Sequence, residues 1–146
     1  MAAGIFKVYA KAKGALGSGS IDLTGSTFRI AFAKSFAFIS TNATASTKAS
    51  MITDGAVFQT SVGSYSASGR LLTSPTWTSV AAGVWGFDAA DFSISVTSGN
   101  LSALKAMVIF DGARPLCWAS FSAATDVLTG NKLIIAFAAS GIFELT

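Results

Sequence analysis

Histidine is absent from the 146 residues. That removes the commonest general base, the Ser-His-Asp and Cys-His nucleophile systems, and the commonest transition-metal ligand. Cysteine occurs once, at Cys117, so neither an intrachain disulfide nor a thiolate zinc cluster can form. It lies in the run Pro115-Leu116-Cys117-Trp118, where a buried and inert thiol is expected. Charge is also scarce, at 12% of residues, against roughly 25% in ordinary soluble domains. No uninterrupted apolar run reaches the roughly 18 residues that a membrane helix requires, so no membrane partner is expected. The first residues lack the apolar stretch and small-residue cleavage site of a signal peptide. There is no GxxxxGK[ST] phosphate cradle, and the glycines at 14, 17 and 19 follow a helix pattern rather than a strand, the wrong context for a dinucleotide site.

What is present is apolar and small. Hydrophobic residues make up 51% of the chain, and Ser, Thr, Ala and Gly are left to cover much of the surface. Such a surface desolvates cheaply, because few ions must shed water. It suits a subunit packed against neighbours; the alternative is a plain globular domain with a Ser/Thr surface. The net charge is +3. Its cations are spread thinly, and only Lys7, Lys11 and Lys13 cluster before Arg29, Lys34, Lys48, Arg70, Lys105, Arg114 and Lys132. A nucleic-acid binder would carry a dense basic stripe interleaved with aromatics, so no specific nucleic-acid partner is expected.

The length fits one domain with a proper core. Ile5, Tyr9, Ala12 and Leu16 fall at spacings of three and four, which predicts a helix over residues 5–16 ended by Gly17-Ser18-Gly19. Lys7, Lys11 and Lys13 fall largely off that apolar face, either as a solvated face or as a positive docking arm. Strand alternation follows over residues 27–32, placing Phe28, Ile30 and Phe32 on one face, with residues 35–39 continuing or returning it. Residues 40–50 read as a loop, or as a lead-in to a short helical turn near 49–58. Further strands are expected at 70–72, 76–80, 83–87, 91–97, 104–110, 116–121, 132–137 and 142–145. Turn residues separate them, at Ser98-Gly99-Asn100, Asp111-Gly112, Thr129-Gly130-Asn131 and Ser140-Gly141. Strands this closely spaced, without helices between them, predict a mainly β fold. It is expected as one antiparallel sandwich or barrel-like domain, residues 1–146, with a single N-terminal helix in an arm over 1–20 and the sandwich over 21–146. The apolar runs at 107–110 and 133–137 imply burial on both faces, against another subunit or under an internal helix.

Candidate chemistry is thin. Every acid except Glu144 sits in or beside a turn signal, where Asp caps turns through its own side chain. No Asp-x-Asp-x-Asp-Gly calcium loop occurs. Neither an enzyme, a cofactor nor a metal site is expected. Trp77, Trp85 and Trp118 are read as core or interface residues, with a sugar platform as the rival. Trp85 and Phe87 share a strand face, and Trp118 is expected to be buried.

The order of features resembles a group of small tailed-bacteriophage virion proteins. The matching pieces are Tyr9-Ala10-Lys11-Ala12-Lys13-Gly14-Ala15-Leu16, Ile21-Asp22-Leu23, the strand at 27–33, and Gly63-Ser64-Tyr65. Later come Val108-Ile109-Phe110-Asp111, Pro115-Leu116 and Gly141-Ile142-Phe143-Glu144-Leu145. Together they span most of the chain. The resemblance implies a virion structural protein present in many copies, similar in style to head decoration (cement) proteins. Its implied partners are the major capsid protein, other virion subunits and further copies of itself. Contact candidates are the N-terminal arm and the 40–50 loop, through Ile5, Lys7, Tyr9, Lys11, Lys13, Asn42 and Lys48. A tail, collar or fibre component and a carbohydrate-binding β domain stand as alternatives.

Overall fold

The alternation at residues 27–32 becomes the central strand of the largest sheet. The computed structural model describes residues 6–25, 27–35, 39 and 46–145. Its elements run β1 (Lys7–Val8), α1 (Ala10–Gly17), β2 (Phe28–Ala33), α2 (Lys48–Thr53), β3 (Arg70–Leu71), β4 (Thr76–Ala81), β5 (Val84–Asp88), β6 (Phe92–Ser95), β7 (Leu101–Asp111), β8 (Arg114–Val127), β9 (Lys132–Ile135) and β10 (Phe143–Leu145). The fold is mainly β and antiparallel throughout. Five strands order as β1-β8-β7-β2-β3, three as β10-β5-β4 and two as β6-β9.

Phe28, Ile30 and Phe32 are all fully buried on one face, as the alternation requires. Phe28 meets Phe87 of β5 edge-on at 4.9 Å, and Phe87 packs on Phe143 of β10 at 5.3 Å. These contacts lock the five-stranded sheet onto the three-stranded one as a sandwich. Phe32 packs on Tyr65 at 5.3 Å and stacks with Phe121 at 6.4 Å. The Phe32 N–H donates to the buried Tyr65 hydroxyl at 3.1 Å, so the aromatic pair is also tied through the backbone.

Both faces of β7 are indeed covered, and the chain does this itself. Met107 and Ile109 share the face of Phe32 and Ile30, their β2 partners. On the other face Phe110 meets Phe58 at 5.9 Å, in the segment just after α2. The second apolar run behaves differently. β9 ends at Ile135, with Leu133 and Ile135 buried but Ile134 63% exposed, so this strand alternates instead of being buried on both faces.

The N-terminus departs from the expected helix over 5–16. Lys7 and Val8 pair with Trp118 and Cys117 of β8, and this pairing overrides the helical spacing. Tyr9 is extended (ψ 143°) and precedes the helix, whose Ala and Lys residues are good helix formers. Among the described residues a second helix, α2, stands where a short helical turn near 49–58 was expected, although the fold as a whole was expected to carry only the N-terminal helix. Thr47 caps α2 reciprocally: its hydroxyl accepts from the Ser50 N–H, and the Ser50 hydroxyl accepts from the Thr47 N–H, both at 3.1 Å. β8 runs well beyond the expected 116–121. Its register against β7 jumps between Ser120 and Thr125, so residues 121–124 form a bulge in which Phe121 stays buried and residues 122–124 are exposed. The suggested continuation of β2 over 36–38 lies outside the described residues.

Candidate functional site

The seven contact candidates do not form one surface. Ile5 and Asn42 lie outside the described residues. Tyr9 is a core residue, 3% exposed, and its hydroxyl donates to the Ile39 carbonyl at 3.1 Å. It faces the interior because β1 pairing turns the chain before α1 starts. Lys48 opens α2 and is half-buried. Its ammonium donates to the Ala67 carbonyl at 2.6 Å and sits 4.9 Å from the Phe58 ring centre and 5.9 Å from that of Phe110. Desolvation holds its pKa below the ordinary lysine range. It therefore serves an internal junction between α2 and the large sheet.

Lys7, Lys11 and Lys13 are exposed. The Lys7 ammonium lies 5.4 Å from the Trp118 ring centre, a cation–π contact that covers the edge of β8. Lys11 lines a concavity of about 320 Å³ with Ser18, Ser20, Ser46 and Arg114. Arg114 is fixed there by donating to the Ser20 carbonyl at 2.7 Å. Lys13 lines a larger concavity of about 690 Å³ with Asp22, Trp77, Glu144 and Leu145. Arg114 and Ser46 at the first concavity, and the walls that β4 and β10 give the second, reach these lysines only through tertiary structure, and no local motif marks them.

Asp22 and Asp88 accept locally, as the turn reading expects, whereas Asp91, Asp111 and Asp126 tie segments far apart in sequence. Asp22 accepts from the Thr24 hydroxyl and N–H, which lower its pKa in that order. Asp126 accepts from the Ala103 N–H at 2.6 Å, Asp91 from Phe137 at 2.8 Å and Asp88 from Ala89 at 2.8 Å. Among the described residues no group of three His, Cys, Asp or Glu side chains is placed to hold a metal. Cys117 is fully buried, and desolvation raises its thiol well above the ordinary 9.0.

One longer strand is exposed along nearly its whole length although its sequence resembles that of an ordinary strand. β4 forms one edge of its sheet, and every residue in it except the half-buried Trp77 is exposed. Trp77 stacks on Trp85 at 5.8 Å, and Trp85 is 46% exposed. Val80, on the opposite face of the same hairpin, is 48% exposed. The signal in the sequence was the uncharged run Thr76-Trp77-Thr78-Ser79-Val80-Ala81; its edge position depends on sheet order.

The buried titratable groups set an alkaline limit. Burial raises the Tyr9 and Tyr65 phenols above their ordinary 10.0, with the Phe32 N–H partly offsetting the shift at Tyr65, and raises the Cys117 thiol above 9.0. In the unfolded chain these groups ionise at their ordinary values while the folded chain keeps them neutral, so their stabilising effect is intact below about pH 9 and is lost as pH rises beyond it. Lys48 shifts in the opposite sense, but it is one half-buried group against three. The urea midpoint is expected to fall steadily above about pH 9, with Tyr9→Phe flattening the fall. A midpoint unchanged through that range would contradict these burial effects.

No known protein family, curated protein or solved structure matches this chain.

Proposed function

We propose that this chain is a structural subunit of a tailed-bacteriophage particle, a decoration protein that stabilises the head. The observation that carries the reading is the placement of large exposed apolar side chains. They occur on four parts of the described surface: Ile52 and Val57 around α2, Leu71 on β3, Val80 and Trp85 on the β4–β5 hairpin, and Leu128 and Ile134 around the β8–β9 turn. Single exposed apolar side chains are ordinary on a monomer, but a subunit bridging several neighbours buries them at each contact, and their spread over several elements fits that role. Scarce charge supports the same reading, because each contact then desolvates few ions. The sequence motifs point to the particle type. The role is mechanical: contacts worth about 25 cal/mol per Å² of apolar area, less the cost of association, add up over neighbouring shell subunits.

The test compares heads assembled with and without this chain. Heads lacking it are expected to release DNA at lower temperature, and adding the purified chain back is expected to restore them. Equal retention in both, with no binding on add-back, overturns the head role and leaves the tail, collar or fibre position.

A second reading is favoured by one observation. Trp77, stacked on Trp85, borders the 690 Å³ concavity that also presents Asp22 and Glu144. An aromatic face beside carboxylates is the composition of a sugar subsite. Glycan-array binding that disappears in Trp77→Ala would favour it.

A further inference from the structure

We infer that β4 is a homotypic docking strand: two copies of this chain pair β4 with β4, antiparallel about a two-fold axis, and join their three-stranded sheets into one. The inference rests on the assembly-subunit reading and names one of its contacts.

β4 bonds to β5 on one side, and no other described strand pairs with its outer side. An exposed edge of this kind offers a row of unused N–H and C=O groups, and monomeric proteins normally blunt it with lysine, proline or a bulge. Here the blunting devices sit only at the ends. Pro75 precedes the strand, and the register shift against β5 falls between Ser79 and Ala81. Thr76 to Ser79 remain regular, uncharged and open.

The occupant is a second copy because the strand is complementary to itself. None of its six residues is charged, so self-pairing sets no like charges opposite one another and offers no electrostatic handle for a charged partner. With Thr78 opposite its own copy, Trp77 faces Ser79 and Thr76 faces Val80. The Thr78 pair is a favourable cross-strand contact. Residues 77 and 79 share the face of Trp85, so the two stacked Trp77–Trp85 pairs form one aromatic row across the junction. The opposite face buries the two exposed Val80 side chains. A closed two-fold contact of this type ends at the dimer and leaves the other apolar patches free for different neighbours.

Sedimentation equilibrium of the full chain tests this. The mass is expected to shift from monomer to dimer as concentration rises. Thr78→Lys, which sets two ammonium groups opposite each other on an exposed position, is expected to weaken association roughly fivefold or more without changing the melting temperature. Ser79→Lys, which faces the partner's Trp77 rather than its own copy, is the control and is expected to leave association much less changed. A chain that stays monomeric up to millimolar concentration, a trimer, or a dimer indifferent to Thr78→Lys overturns the pairing. A monomer that still binds phage heads overturns the β4 contact and leaves the assembly reading standing. A β4-dependent dimer absent from the particle does the reverse.

Discussion

Phe32→Ala is expected to lower the unfolding free energy by about 3–5 kcal/mol, the range for emptying a large aromatic site in a core that relaxes only partly. Phe32 is fully buried in β2 between β7 and the Tyr65 segment. Truncating it removes the packing on Tyr65 and the stack with Phe121 together. The backbone bonds around it depend on that packing: its N–H donates to Tyr65, and its carbonyl accepts from the Gln59 N–H at 2.8 Å. The change is large against the roughly 5–15 kcal/mol of a whole domain. Urea unfolding should show a much lower midpoint with an unchanged slope. Tyr65→Phe separates the hydrogen bond from the packing. It leaves the Phe32 N–H without its acceptor and is expected to cost about 1–3 kcal/mol. A Phe32→Ala loss below that of Tyr65→Phe would mean that β2 is not the centre of the core.

Gly141→Ala is the second large effect, and it acts through the backbone. Gly141 has φ +89°, and a Cβ there would sit 2.7 Å from the Phe87 carbonyl oxygen. The neighbour is backbone and is held in place, because the same carbonyl accepts from the Ile142 N–H at 2.7 Å. The positive φ alone costs about 1–3 kcal/mol for a residue with a side chain. The clash adds to that by loosening the β5–β10 pairing, which carries Phe143 onto Phe87. Thermal unfolding is expected to drop by several degrees. Gly83→Ala is the control: its φ is also positive, at +74°, but open space surrounds it, so it should cost less. Equal losses at the two positions would show that contact with Phe87 plays no part.

Much of the fold was legible because its signals are local. Alternation at β2 and the turn residues at Asp111-Gly112 and Ser140-Gly141 depend on neighbours a few residues away, and all fall where expected. The N-terminal boundary was not, because Lys7 and Val8 are strand residues only by pairing with β8, more than a hundred residues later. Ile134 misled for a related reason: an apolar run does not reveal that its outer face lacks a covering layer. The burial of Tyr9 follows from the same N-terminal pairing. Lys48 reads as a loop charge until Phe58 and Phe110 are brought beneath it. Of the docking surface, the uncharged composition of residues 76–81 was visible in the sequence, but its place at a sheet edge was not, since strand order is set by the whole chain.

The proposed role, a repeated subunit of a phage shell, is open to direct observation. Imaging the intact particle at a resolution that places individual chains tests it most directly. This sandwich is expected in many copies on the outside of the head, bridging shell subunits through its exposed apolar side chains. Its absence from the head surface, or a few copies confined to the tail, would contradict it.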